Sequence, residues 1–428
     1  MKKTYDSYKP FKLPWLREIP SHWKSVRNKN IFEEVKTTVG SEWSQFTLLS
    51  LTLNGIIPRD VESGKGKFPK EFDSYKPVKK GDMAFCLFDI DETPRTVGLS
   101  EYDGMLTGAY DIFHVKNVNS RFIYYYYLSL DNAKAMKPFY SGLRKTINIG
   151  TFLGLRIPVP PRSEQDQIVR YLDWQVSRID KLIEGKKREI ELIKEQKYAF
   201  VSRVITSGLN TKVPFKDSGV NWLKLIPAHW QIIKLRNILK SFSQKGRPDL
   251  QLLSVVREQG VIIRDIEDKT TNHNFIPDDL STYKVVKKKQ FVINKMKAWQ
   301  GSYGISDYDG IVSPAYFVFD IRFPNLQFFH YAIRSKVYVN FFAQASGGIR
   351  VGQWDLSIDK MKTIPFFVPP EKEQQEIVAF IPRIQESLNS LVIGLQREIE
   401  RLEEFKTRVI SDVVTGKFDV RNISVVKK

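Results

Sequence analysis

Trp15-Leu16-Arg17-Glu18-Ile19-Pro20-Ser21-His22-Trp23 decides the architecture, because 207 positions later the chain reads Trp222-Leu223-Lys224-Leu225-Ile226-Pro227-Ala228-His229-Trp230. Further echoes keep the same order and nearly the same shift. Leu48-Leu49-Ser50 returns as Leu252-Leu253-Ser254, and Tyr75-Lys76-Pro77-Val78-Lys79-Lys80 as Tyr283-Lys284-Val285-Val286-Lys287-Lys288. Tyr102-Asp103-Gly104, followed by Ala109-Tyr110, returns as Tyr308-Asp309-Gly310, followed by Ala315-Tyr316; Gly142-Leu143-Arg144 matches Gly348-Ile349-Arg350. An ordered series at near-constant spacing marks an internal duplication. The chain is two copies of one unit.

Each copy has two parts. The first, residues 1–158 and 210–367, is rich in aromatic and β-branched residues broken by Gly, Pro, Asn and Asp. Runs such as Met83-Ala84-Phe85-Cys86-Leu87-Phe88 and Gly310-Ile311-Val312-Ser313 read as strands, interrupted by helical stretches over 122–136 and 326–342. This mixture predicts α+β domains.

The second part, 159–209 and 368–428, opens with Pro160-Pro161-Arg162-Ser163-Glu164-Gln165-Asp166-Gln167-Ile168, matched by Pro369-Pro370-Glu371-Lys372-Glu373-Gln374-Gln375-Glu376-Ile377. Prolines followed by acidic residues start helices, because the chain is preset and the carboxylates face the positive end of the dipole. Ser163 with Asp166 reads as a capping box. Helical spacing continues to about Val204 and Val413, with Gly208 and Gly416 as stops. Every third or fourth position gives Leu172, Val176, Ile179, Ile183, Lys186, Ile190, Ile193, Lys197, Phe200 and Val204. The second copy gives Ile381, Gln385, Leu388, Val392, Leu395, Ile399, Leu402, Lys406, Val409 and Val413. Matched, mostly apolar stripes with charged flanks predict a coiled-coil seam between the two helices; packing of each helix on its own domain is the alternative. Lys197 and Lys406 occupy equivalent seam positions, where they either snorkel or set the register.

Composition narrows the function. The 428 residues hold 67 Lys and Arg against 48 Asp and Glu, a formal charge of +19 that points to a polyanionic partner, nucleic acid above all. The single cysteine, Cys86, excludes an internal disulfide and suits a cytoplasmic setting, and with five scattered histidines it makes no conventional zinc site. No metal is expected in this chain. The opening Met1-Lys2-Lys3-Thr4-Tyr5-Asp6 lacks a signal-peptide core, and the apolar stretch over 122–130 is too short to span a bilayer, so no membrane association is expected.

Catalytic motifs are missing. There is no phosphate-binding Gly-x-x-x-x-Gly-Lys-Ser/Thr loop. Val159-Pro160-Pro161-Arg162 lacks both the polar first residue and the aromatic of the Asp/Asn-Pro-Pro-Tyr/Phe motif of amino-group DNA methylases. Pro248-Asp249 with Glu258 lacks the nuclease Glu-x-Lys pairing, since Gln259 and Gly260 follow.

The twice-used Pro-Pro-x-x-Glu-Gln-x-x-Ile phrase resembles the conserved region of type I restriction–modification specificity subunits. So do the Trp-Leu-x-x-Ile-Pro-x-His-Trp phrase and Val413-Val414-Thr415-Gly416-Lys417. Val292-Ile293-Asn294-Lys295-Met296-Lys297-Ala298-Trp299-Gln300-Gly301 and Cys86-Leu87-Phe88-Asp89-Ile90-Asp91-Glu92-Thr93-Pro94-Arg95 resemble the same family. The resemblance spans essentially the whole chain. The first copy departs mildly, with Thr206-Ser207-Gly208 against Thr415-Gly416-Lys417. The resemblance implies two pseudo-repeated target-recognition domains, 1–158 and 210–367, separated by two long antiparallel coiled-coil helices. Each domain would read one half of a split, asymmetric double-stranded DNA site. The helices would space the domains and dock two methyltransferase subunits. Restriction–motor subunits would complete the complex, with SAM, ATP and Mg on those partners and no cofactor or catalysis in this chain.

Candidate DNA contacts follow from side-chain chemistry, since Arg grips guanine bidentately and Asn or Gln grips adenine. Arg144, Lys145 and Asn148 in the first copy, and Arg350 and Gln353 in the second, lie in Gly-containing segments that allow close approach; a plain turn with a solvated Arg is the alternative. Arg59, Lys65, Lys67 and Lys70 suit the phosphate backbone. Arg95 with Thr96, and Trp299 with Gln300 beside Lys295 and Lys297, occupy similar places yet differ chemically, which would let the halves read different bases. Trp299 is equally readable as a core aromatic, and His22 and His229 read as packing residues. Two other functions fit less of the sequence: a self-contained methylase or nuclease with degenerate motifs, and a DNA-free coiled-coil scaffold.

Overall fold

The structure, a computed structural model, describes residues 4–59, 72–142, 145–265, 276–277, 279–348 and 354–425. It mixes helices and strands in an α+β fold that divides into two compact units. Unit 1 joins residues 1–186 to 396–428, and unit 2 is residues 187–395. The division cuts through both long helices, so each unit holds a globular part and one stretch of each helix.

In unit 1 a four-stranded antiparallel sheet runs Phe32–Glu34, Asp111–Val115, Met83–Phe85, Val97–Leu99. Met83–Phe85 is buried on both faces, which explains its unbroken apolar run. Met83 and Phe85 enter a large aromatic core with Trp23, Phe32, Phe113, Phe122, Tyr127 and Phe152. Ala84 faces a smaller cluster of Val35, Leu49, Ile56, Val78, Leu106 and Ile112. The helix Ser120–Asn132 covers the aromatic core; Asn119 caps it by accepting from the amides of Arg121 and Phe122.

Unit 2 repeats this design. Its four strands take the same order, Leu239–Phe242, Tyr316–Ile321, Phe291–Asn294, Tyr303–Ile305. Phe291 and Ile293 enter the aromatic core, while Val292 faces a cluster with Leu253, Val286 and Val312. The helical stretch expected over 326–342 is two helices, Leu326–Arg334 and Lys336–Gln344. Ser335 breaks them: its backbone is extended and its hydroxyl donates to the carbonyl of Ala332 at 2.7 Å.

The long helices are Arg162–Ser207 and Glu371–Val414. The first begins two residues before Glu164, and no capping box forms. The Pro161 carbonyl accepts from the amides of Glu164 and Gln165, each at 3.0 Å, so Ser163 lies inside the first turn. Asp166 instead accepts from the Asn119 side-chain Nδ2 at 2.7 Å and from Arg162 at 3.1 Å. Gln165 and Gln374 each donate back to the first proline carbonyl of their phrase, Pro160 and Pro369, at 2.9 Å. Both helices end at left-handed glycines, Gly208 at φ +71° and Gly416 at φ +75°.

Within each unit the two helix stretches run antiparallel. In unit 1 Lys186 pairs with Glu398, and Lys406 reaches Asp180 at 2.8 Å; Leu172 and Ile179 are buried on the same stripe, with Val176 half-buried. Ile183, Ile399 and Val413 are buried there too, and Leu402 and Val409 half-buried. In unit 2 Lys197 reaches Asn389 at 3.1 Å and Phe200 meets Phe380 at 5.7 Å. Ile190, Val204 and Ile381 are buried, and Ile193, Leu388, Val392 and Leu395 half-buried. Lys197 with Asn389 and Lys406 with Asp180 are equivalent pairs, each member 209 positions from its counterpart. No helix of the described residues is long and apolar enough to cross a membrane.

Candidate nucleic-acid interface

In unit 1 the strands Met83–Phe85 and Val97–Leu99 are joined by a loop that folds on itself. The amides of Glu92 and Thr93 donate to the Asp89 carbonyl at 3.0 and 2.9 Å, the Thr93 hydroxyl joins them at 2.9 Å, and Ile90 plugs into the core. Asp89 itself sits at φ +43°, an uncommon setting for a non-glycine that this web of bonds holds. The far end of the loop is tied down by Asp131, which is 2% exposed on the covering helix. Asp131 accepts from Arg95 at 2.9 Å, from the Thr96 hydroxyl and amide at 2.6 and 3.2 Å, and from Lys134 at 2.8 Å.

A second segment meets this loop. Ser141 and Thr146 bond each other's backbones at 2.9 and 3.1 Å, and the Ile147 amide donates to the Leu87 carbonyl at 2.8 Å. Asp91, from the loop, lies 3.4 Å from Lys137, 3.5 Å from Lys145 and 3.3 Å from the Tyr140 hydroxyl. Two segments singled out in the sequence, one with Arg95 and Thr96 and one with Lys145 and Asn148, are therefore neighbours.

Unit 2 makes the same juxtaposition with different chemistry. The segment after strand Phe291–Asn294 turns through Ala298–Gln300 and a left-handed Gly301 at φ +92°. It meets the hairpin Ser346–Gly347 and Asp355–Leu356: the Leu356 amide donates to the Lys295 carbonyl at 2.9 Å, and the Lys295 ammonium lies 3.0 Å from Asp355. Trp299 packs on Trp354 with ring centres 5.3 Å apart. Lys297 and Met296 are exposed beside them, and Gln300 is half-buried.

The candidate residues thus divide. Lys145, Lys295, Lys297, Trp299 and Gln300 line the two juxtapositions. Arg95 and Thr96 are engaged by Asp131, with Thr96 buried. Asn148 caps the helix Ile149–Gly154, accepting from the Gly150 amide at 2.8 Å. Arg59 follows the strand Gly55–Pro58, its amide bonded to the Leu48 carbonyl at 2.9 Å. Lys65, Lys67, Lys70, Arg144, Arg350 and Gln353 lie outside the described residues.

Sequence reasoning missed the ions that hold these loops. In unit 2 that role falls to Arg334, whose guanidinium donates to the carbonyls of Tyr303 at 2.7 Å, Gly301 at 3.3 Å, Arg257 at 2.6 Å and Glu258 at 2.8 Å. Burial pushes its pKa down. Asp131 and Arg334 are not at equivalent positions, so comparison of the copies gave no signal for either. His22 and His229, read as packing residues, are instead exposed, and each contacts the first-turn carboxylate of a long helix, Glu164 at 2.7 Å and Glu373 at 2.8 Å. Among the described residues no cluster of His, Cys, Asp and Glu could hold a metal ion.

Comparison with known proteins agrees with this architecture. Residues 105–192 match the model of the type I restriction modification DNA specificity domain. The type I restriction enzyme MjaVIII specificity subunit of Methanocaldococcus jannaschii is 25% identical over 291 residues, which span 64% of each chain. The putative MjaX specificity subunit of the same organism is 21% identical over 96% of this chain and 97% of its own. A chain from a structure on complex assembly and conformational transition of the type I R-M system shares the fold, with a TM-score of 0.61 at 13% identity, over 96% of this chain and all of that one. Residues 105–192 thus match a type I restriction modification DNA specificity domain, and the chain is similar along nearly its whole length to specificity subunits of type I restriction enzymes.

Proposed function

We propose that the chain is the non-catalytic DNA-recognition subunit of a type I restriction–modification complex and reads a bipartite, asymmetric double-stranded site, one half through each unit. The observation that carries this is the duplicated juxtaposition. The same two segments meet in both units, yet one presents Lys145 beside an Asp91-centred cluster and the other Lys295, Lys297 and a tryptophan pair. One scaffold with two chemistries suits two different half-sites. Phosphate contacts by the surplus of Lys and Arg supply affinity that weakens with salt, and base-edge contacts supply specificity.

The two long helices serve as spacer and as docking surface for two methyltransferase subunits, with restriction–motor subunits completing the complex in the cytoplasm. SAM, ATP and Mg act on those partners. The test is reconstitution. The chain alone retains DNA at low salt, releases it at high salt and methylates nothing; adding the methyltransferase subunit gives adenine methylation at one two-part motif. Replacing 210–367 by the equivalent region of a relative changes one half of that motif and leaves the other. Methylation by the chain alone, or a change in both halves, overturns the proposal.

A further inference from the structure

Both loops that reach the candidate interface are fastened from behind by an ion on the helical layer that follows the sheet, and the two ions have opposite sign. In unit 1 the ion is Asp131, which gathers four donor groups: Arg95, the Thr96 hydroxyl, the Thr96 amide and Lys134. Lys134 extends the web by donating to the Thr93 carbonyl at 2.9 Å. The loop is held at residues 93, 95 and 96, while Glu92 and Pro94 stay exposed between the anchors. In unit 2 the ion is Arg334, whose two terminal nitrogens span two separate stretches of backbone, 301–303 and 257–258.

Interior anchoring of this kind has a definite consequence for recognition. A bidentate base contact discriminates only while the donor or acceptor is held in place, so the backbone carrying it must be preorganised. A mobile loop finds an alternative partner on the wrong base. Resting on the recognition function argued above, we propose that Asp131 and Arg334 are positioning residues that set the stringency of sequence reading, each for the half-site of its own unit. Neither touches DNA. Asp131 acts through residues 93–96, and Arg334 acts through 301–303 and the turn at 257–258. The equal role at non-equivalent positions fits copies that diverged to read different bases while both needed a rigid loop.

The experiment uses the full chain with its methyltransferase subunit in a host lacking other adenine methylation, and maps methylated adenines across the genome. Arg334→Lys keeps the charge, but one ammonium cannot span both backbone stretches. It relaxes the unit 2 half-site, with discrimination at one or more base pairs falling about tenfold, the scale of one weakened base contact. The unit 1 half-site and the salt dependence of DNA binding stay as in the wild type. Asp131→Asn gives the mirror result in the other half-site. Where the Asp131→Asn complex fails to assemble, Thr96→Val, which removes one hydroxyl bond to Asp131 at little change in shape, carries the test and relaxes the unit 1 half-site alone. An unchanged motif, or equal relaxation of both halves, overturns the positioning role. Absence of any two-part motif with the wild-type chain overturns the recognition function instead.

Discussion

The indole of Trp23 donates to Glu164 at 3.0 Å, and 207 positions later the indole of Trp230 donates to Glu373 at 3.0 Å. The repeated His-Trp phrase and the repeated Pro-Pro-x-x-Glu-Gln phrase are thus two halves of one joint. The carboxylate stands in the first turn of a long helix, where the dipole favours it, and the indole lies under that turn in the aromatic core. The joints are not equal. Glu164 also receives the Tyr5 hydroxyl at 2.7 Å and its side chain is 5% exposed, whereas Glu373 is 18% exposed and the position matching Tyr5 is Lys212.

Removing the two carboxylates should therefore have unequal costs. Glu164→Ala strands a buried indole and a buried phenol and is expected to cost about 3 kcal/mol, against about 1–2 kcal/mol for Glu373→Ala. Urea unfolding followed by tryptophan fluorescence measures both. Equal losses would show that the extra hydroxyl and deeper burial contribute nothing.

Gly416 ends the second long helix at φ +75°, where an added Cβ would lie 2.4 Å from a ring carbon of Pro20 and 3.3 Å from the Trp23 ring. Gly416→Ala is expected to cost roughly 1–3 kcal/mol from backbone strain and the clash. Gly185, inside the first long helix, has nothing within 4 Å of an added Cβ. Gly185→Ala should instead stabilise by about 0.5–1 kcal/mol. Calorimetric midpoints moving in opposite directions are the expected result.

His330 supplies a pH dependence. Burial, helped by the nearby Arg334 guanidinium, lowers its pKa below the ordinary 6.5, against a weaker opposing pull from Asp307. The unfolded chain then binds the proton more readily than the folded one. The stability from keeping this ring neutral is complete above about pH 6.5 and is lost as pH falls through the lowered value. Unfolding midpoints from pH 7.5 down to 5 should fall for the wild type, and His330→Gln should remove part of that slope. Identical slopes would place the titration elsewhere.

The spacer role proposed above for the long helices predicts a change in the methylated motif. Four residues added near Gly185 lengthen one helix by about 6 Å, or roughly one to two base pairs of DNA at about 3.4 Å each. The shifted seam lowers stability as well. With its partners present, such a chain should methylate the same two half-sites at a longer spacing. The same spacing with full activity would mean that the helices only dock partners.

Much of this protein is visible along the chain because its signals are local or periodic. The duplication, the α+β character, the long helices and their glycine stops need only neighbouring residues or a constant shift. The break at Ser335 escapes such reading because its flanks, Leu326–Arg334 and Lys336–Gln344, are both strongly apolar and helical in pattern. The capping box failed for a related reason. Ser163 and Asp166 have the right spacing, but the Pro161 carbonyl takes the free amides and Asn119, 47 residues away, takes Asp166.

By itself the sequence determined that there are two copies, roughly where the two long helices run and at which glycines they stop, and which residue types lie on the helix seam. Only the tertiary structure decided which polar groups meet: Glu164 with Trp23, Asp131 with Arg95 and Thr96, Arg334 with carbonyls from two distant turns. The physical reason is that a buried charge must find its partners wherever packing brings them, and those partners come from any distance along the chain. Apolar burial is nearly indifferent to identity and shows as a pattern. A buried ion is specific to its neighbours, and its neighbours exist only once the chain has folded.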